Sequence, residues 1–269
     1  MTQAQKADIF RELHHRGRIL VLPNAWDVAS ARVFEDAGFP AIATTSAGVA
    51  AVFGYPDRQQ IPSELMLDMV RRIAGAVSVP VTADVEAGYD DPAATALAVM
   101  QAGAVGMNLE DTPNDDPTAL ADIGRQAEII RAIRAKTNLV INARTDLFLF
   151  GVGDPATRVD RAVQRLNTYR DAGADSLFVP GVIDADTIGK LSQAVRGPLN
   201  ILAVKGTPPI AELQKLGVAR VTIGSGAARA ALGLARRIAK ELSEQGTYSA
   251  FTDDAISYVD VNRMLAAKR

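Results

Sequence analysis

Eight short apolar runs, each separated from the next by a few tens of residues, constrain this chain more than any other feature. They are RILVLPN, AIATTS, VPVTADV, VGMNLED, LVINART, SLFVPG, LNILAV and RVTIGS. Each is rich in Val, Ile and Leu and shows little polar alternation, the pattern of a strand buried on both faces. Between the runs lie segments of helical character, such as DVASARVFEDAG, PSELMLDMVRRIAGAV and DIGRQAEIIRAIRAK. PAATALAVMQAG opens on Pro92 and closes on Gly103, the usual start and stop asymmetry of a helix. A leading helix is expected near Ala7–His14 and a last one at Asp253–Lys268. Strict β/α alternation implies a parallel sheet, and eight units predict an α/β fold closed into a single TIM-type (β/α)8 barrel. An open doubly wound sheet is the alternative. No low-complexity linker divides the 269 residues, so residues 1–269 read as one domain.

Composition removes several function classes. Lys and Arg number 29 against 31 Asp and Glu, without the basic excess of a nucleic-acid binder. The absence of cysteine excludes disulfides, thiolate metal sites and cysteine nucleophiles. The N-terminus has no apolar signal core and no stretch approaches ~18 apolar residues, so the expectation is a soluble, cytoplasmic protein. His14 and His15 are the only histidines and precede the first strand-like run. They read as solvated side chains at a helix end, which leaves carboxylates, arginine, hydroxyls and backbone groups for the chemistry.

Polarity concentrates at the ends of the apolar runs, and in a β/α barrel the C-terminal strand ends carry the active site. Asp57 follows the second run, Asp84 and Glu86 the third, Glu110 and Asp111 the fourth, and Arg144 with Asp146 the fifth. Neighbouring strands lie ~4.8 Å apart, so these groups can converge. Any one acid alone reads as a helix cap or an arginine partner. Acids on consecutive strands are different, because buried carboxylates need a compensating cation. Oxygen ligands without His or Cys select a hard ion, Mg²⁺ first and Mn²⁺ next.

The chain resembles the isocitrate lyase/phosphoenolpyruvate mutase superfamily. The likeness runs from LPNAWDVASARVFEDAGFPAIATTSAGVA through GYPD, VTADVEAGY, AGAVGMNLEDT and INARTD to FVPG. It implies a β/α barrel whose last helix, within residues 245–269, is exchanged with another subunit in a homodimer or homotetramer. It implies Asp84 as the main Mg²⁺ contact, with Glu86 and Glu110 holding metal-bound water. By the same resemblance Asp57 is the acid beside metal and substrate. The turn Thr45, Ser46 and Ala47 binds a substrate carboxylate, Arg144 neutralises a 2-oxo or enolate oxygen, and Trp26 and Asp27 shape the pocket.

The chain also departs from the family. The lyases carry a K-K-C-G-H motif, whereas here the segment after the fourth run is EDTPNDDPTALADIGRQ, without Cys or His. FVPG lacks the histidine of the phosphonate-active members, and Glu86 replaces the commoner Asp. The expected activity is a Mg²⁺-dependent lyase or decarboxylase that cleaves a C–C bond of a small 2-oxo (di)carboxylate such as oxaloacetate through a pyruvate enolate. Phosphonopyruvate hydrolase or mutase-like C–P chemistry is one alternative; a non-catalytic 2-oxo-acid binding protein is another. Thr112–Gly124 is a candidate lid. GSGAARA, residues 224–230, is a glycine-rich turn read mainly as packing, and Lys205 is read as solvated.

Overall fold

The computed structural model describes residues 1–266 apart from Asn114, Asp115 and Pro117. Nine parallel strands form one sheet: β1 (Leu20–Leu22), β2 (Asn24–Ala25), β3 (Ile42–Thr44), β4 (Val81–Asp84), β5 (Gly106–Glu110), β6 (Val140–Arg144), β7 (Ser176–Val179), β8 (Leu199–Leu202) and β9 (Arg220–Thr222). Their order is β1-β9-β8-β7-β6-β5-β4-β3-β2. The two end strands are consecutive in the chain. They are one predicted strand broken at Pro23, which has no N–H to give a ladder. β1 pairs with β9 and β2 with β3, so the broken strand brings the two ends of the sheet together in a nearly closed TIM-type barrel.

The helices are α1 (Gln3–Leu13), α2 (Val28–Asp36), α3 (Ser46–Val52), α4 (Ser63–Ala76), α5 (Pro92–Gln101), α6 (Ile123–Lys136), α7 (Arg158–Asp171), α8 (Ala185–Ala194), α9 (Ile210–Lys215), α10 (Gly226–Glu244), α11 (Ser249–Thr252) and α12 (Tyr258–Ala266). Asp91 caps α5 by accepting from the Ala93 and Ala94 N–H groups, both at 3.0 Å, ahead of Pro92. The main core lies between sheet and helices, where Ile73, Ile130, Leu166 and Leu191 are fully buried. Each such side chain contributes about 1.5–3 kcal/mol.

α1 closes the other end of the barrel. Ala7, Phe10 and Leu13 pack against Leu20, Leu22, Ala41, Ala43, Val105 and Val140 at the strand starts. A Cβ at Gly106 would stand 2.8 Å from the Val140 carbonyl oxygen and 2.9 Å from both Phe10 Cε1 and Thr82 Oγ1, so only glycine fits between the neighbouring strand and the ring. Two polar groups accompany this plug. Arg220 is fully buried with its guanidinium 5.9 Å from the Phe10 ring centre, and its three side-chain nitrogens have no partner among the described residues. Burial lowers its pKa to about 9, against the opposing pull of Asp84. His14 is not solvated, contrary to the sequence expectation: it packs edge-on against Phe10, and its Nδ1 lies 2.8 Å from the Phe10 carbonyl oxygen. Burial, reinforced by Arg220, pushes the imidazole down to about 3.

The C-terminal region differs from the single expected helix at Asp253–Lys268. The chain forms α11, breaks at residues 253–257 and resumes as α12 against α2, while Lys268 lies outside the described residues. Only Ala228 is buried along α10, and Leu232, Leu242, Phe251, Tyr258 and Val259 are exposed. Among the described residues no helix is long and apolar enough to cross a membrane.

Candidate active site

The strand ends place the predicted acids around one cleft. Asp84 ends β4, a strand whose four residues are all buried. Its Oδ2 accepts from the Ser46 N–H at 3.0 Å and hydroxyl at 2.9 Å, and its Oδ1 accepts from Asn108 Nδ2 at 3.2 Å. Asn108 in turn accepts from Asn142 Nδ2 at 2.7 Å, and the Asp84 N–H donates to Thr44 Oγ1 at 2.8 Å. The carboxylate is therefore fixed by the start of α3 and by β5 before any ligand arrives.

Glu86 lies two residues beyond β4 in the left-handed region, at φ 56°, and is 4% exposed. Both carboxylate oxygens accept from the Gln59 N–H, at 3.0 and 2.9 Å. Arg58, Gln59 and Tyr89 also have positive φ, at 74°, 50° and 58°. These four are the non-glycine residues in that region among those described, and the other three lie near Glu86 in the chain or on the Gln59 segment that bonds it. Each costs about 1–3 kcal/mol, a strain typical of functional sites. Gly88 turns the chain at φ 89°, where a Cβ would lie 2.7 Å from the Pro92 Cβ.

Arg144 is clamped in the plane of its guanidinium. Nη1 lies 2.7 Å from Glu110 Oε2, Nε lies 2.6 Å from Asp146 Oδ1, and the Phe178 ring centre is 5.8 Å away. Asp146 also accepts from the Thr112 hydroxyl at 2.9 Å. Asp111 faces another network: it accepts from Arg165 Nε at 2.7 Å, the Tyr169 hydroxyl at 2.7 Å and the Asp146 N–H at 3.1 Å. It supports the Asp146 loop from behind.

Two adjoining cavities, of about 280 and 290 Å³, share Ser46, Asp57, Arg144 and Leu149. The first is walled by Glu86 and Glu110, and the second by Thr45, Ala47 and Asp84. Like charges crowd this space. Burial, then Asp57 and Asp84, raise Glu86 to about 8. Burial raises Glu110 well above the carboxylate range against the pull of Arg144. Asp57, exposed at the mouth, is raised by desolvation against the cleft wall and by Asp84. Burial opposes the charge of Arg144, but Asp146, Glu110 and Asp84 outweigh it and keep the guanidinium protonated.

Among the described residues, no three His, Asp or Glu side chains stand close enough to enclose a metal ion directly. The chemistry of the donors nevertheless fits hydrated Mg²⁺, which binds through one or two carboxylates and keeps several waters. The donors are oxygen only, burial together with neighbouring acids raises Glu86 and Glu110, and the buried Tyr89 hydroxyl beside them has no protein partner among the described residues. Asp84 would hold the ion, with Glu86 and Glu110 bonded to its waters.

Trp26 and Asp27 do not line the two cavities. Asp27 caps α2, accepting from the Ser30 N–H at 2.7 Å, and the Trp26 Cβ backs Gly48. Lys205 is exposed. The expected lid Thr112–Gly124 includes Asn114, Asp115 and Pro117, which lie outside the described residues; Ala121 near its far end donates to the Asp111 carbonyl at 2.8 Å. Sequence reasoning missed Asn108, Asn142 and Asn24. Their signal was an asparagine within each apolar run, where that residue is out of place.

Fold and rim together define a β/α-barrel enzyme with an acidic, arginine-bearing active site. Residues 10–243 match the phosphoenolpyruvate phosphomutase family, and the chain belongs to it, within the isocitrate lyase/phosphoenolpyruvate mutase superfamily. The chain is 37% identical over 240 residues to the uncharacterised protein Rv1998c of Mycobacterium tuberculosis, covering 87% of this chain and 89% of that one. A solved structure from Burkholderia cenocepacia J2315, a lyase or mutase by name, is 39% identical with a TM-score of 0.91, covering 98% of this chain and 97% of that one. Oxaloacetate decarboxylase of Rhodopseudomonas palustris (strain HaA2) is 30% identical, covering 74% of this chain and 71% of its own. A phosphonopyruvate hydrolase solved with oxalate and Mg²⁺ is 25% identical with a TM-score of 0.84, covering 96% and 94%.

Proposed function

We propose that this enzyme is a Mg²⁺-dependent lyase or decarboxylase that cleaves a C–C bond of a small 2-oxo dicarboxylate such as oxaloacetate. The observation that carries the reading is the convergence of Asp84, Glu86 and Glu110 with a clamped Arg144 around one cleft. The oxaloacetate decarboxylase relative and the relative solved with oxalate and Mg²⁺ support it.

Mg²⁺, when bound, supplies Lewis-acid stabilisation of charge on the 2-oxo oxygen. The protein's own residues do the rest. Thr45, Ser46 and Ala47 line the cavity; Ser46 is engaged by Asp84, which leaves the Thr45 hydroxyl and the Ala47 N–H at the start of α3 to meet the substrate carboxylate. In oxaloacetate the bond from C3 to the distal carboxylate breaks, CO₂ leaves, and the electron pair passes to the 2-oxo oxygen. Arg144 faces that oxygen as it gains charge, already oriented by Glu110 and Asp146, so little reorganisation is needed. Asp57, with its raised pKa, is placed to hold the proton that C3 takes up.

The test is pyruvate release from oxaloacetate with Mg²⁺ and after EDTA. Activity that survives EDTA, or persists in Asp84→Ala, overturns the reading. Phosphate release from phosphonopyruvate tests C–P chemistry, which the phosphonopyruvate hydrolase relative favours and the missing histidine after β7 disfavours. We also propose a homodimer or homotetramer with an exchanged C-terminal helix, on the strength of the apolar surface of α10–α12.

A further inference from the structure

We propose that Arg229 determines substrate specificity by binding the distal carboxylate of the substrate. The inference rests on the site reading above and names the residue that reads the end of the substrate remote from Asp84. The second cavity does not stop at the acids. It runs from Ser46, Asp84 and Arg144 past Phe178, Leu202 and Val204 to Arg229.

Two arginines therefore line one cavity, and their circumstances are opposite. Arg144 is held by Glu110 and Asp146. The Arg229 side chain makes no hydrogen bond or ion pair among the described residues. It lies near the N-terminal end of α10, where the helix dipole disfavours a cation, and no acid in the first turn offsets it. An unpaired guanidinium in that position has its five donors free for a ligand, and their planar fork matches a carboxylate. Between the two ends the wall mixes Phe178, Pro180, Leu202 and Val204 with the uncharged Asn24, Thr222 and Ser225, so a molecule spanning it is charged at both ends and not between.

The local fold fixes the backbone that carries the exposed Arg229 side chain. Asn24 Oδ1 accepts from the Ile223 and Gly224 N–H groups at 2.9 and 3.0 Å, and Gly224 turns the chain into α10 at φ 51°. Gly48 lets α10 approach the Thr45–Ala47 turn, since a Cβ there would lie 3.3 Å from the Ala228 Cβ. The glycines of GSGAARA thus position the helix, and its arginine carries the recognition.

The experiment measures binding in Mg²⁺ by calorimetry for pyruvate, 2-oxoglutarate and 3,3-difluorooxaloacetate, with oxalate as a probe of the metal end alone. The wild-type protein is expected to bind at least one dicarboxylate about 10- to 100-fold more tightly than pyruvate, the range for a charged hydrogen-bonded pair. Arg229→Gln is expected to abolish that preference and leave oxalate affinity unchanged, and Arg229→Lys to restore part of it. No dicarboxylate preference in the wild type, a preference retained in Arg229→Gln, or an equal loss of oxalate binding overturns the inference. Failure of oxalate to bind the wild-type protein with Mg²⁺ instead overturns the site reading beneath it.

Discussion

Arg144 and Glu86 show how single residues carry the site. Arg144→Ala removes the cation that faces the developing enolate and leaves Glu110 and Asp146 buried without it. A loss of about 10²–10³-fold in turnover is expected, measured as kcat for pyruvate release. Arg144→Lys keeps the charge but not the two-sided clamp, so it recovers only part of the rate. Glu86 gives a pH signature in the metal-free protein. Its folded pKa of about 8 lies above its ordinary value, so the folded state holds a proton that the unfolded state releases. That stabilisation is complete below about pH 4.5 and is lost as pH rises through about 8, with a slope of up to about 1.4 kcal/mol per pH unit. Thermal unfolding in EDTA should show Tm falling across that window. Glu86→Gln should flatten the fall, and Mg²⁺, which competes with the proton, should reverse it.

Elements were legible where a period was present, and lost where a long-range contact decided the outcome. Buried parallel strands announce themselves as apolar runs, and acids at their ends were readable as a rim. The break at Pro23 was visible in LVLPNA, but closure of the sheet through two half-strands depends on partners near residues 44 and 222. The asparagine contacts behind Asp84 were hidden because asparagine inside a strand reads as a turn former. His14 was misplaced although a signal existed: Phe10 and His14 are four apart and share one helical face. The α1 plug makes a prediction at this scale. Gly106→Ala drives a methyl against the Val140 carbonyl oxygen, Phe10 and Thr82 and should cost about 1–3 kcal/mol, measured by urea unfolding; Phe10→Leu in the same chain relieves the ring contact alone and should recover only a minor part.

At the scale of the molecule, the exposed apolar surface of α10–α12 gives the assembly proposal its test. Light scattering on the eluted protein should return twice or four times the mass of one chain. Val259→Asp together with Tyr258→Glu should lower that mass, because charge is costly in a buried interface. A monomeric wild-type protein at micromolar concentration removes the proposal.

The Asn24 clasp joins positions 200 residues apart. During synthesis, at roughly 5–20 residues per second, the first strand therefore waits about 10–40 s for its last partner to emerge. Through that interval β1 has an unsatisfied edge and the far wall of the cavity does not exist. A nascent chain stopped before β9 can hold most of the acidic rim and still have no site for a complete substrate. The seam therefore makes completion of the substrate cavity one of the last events of synthesis.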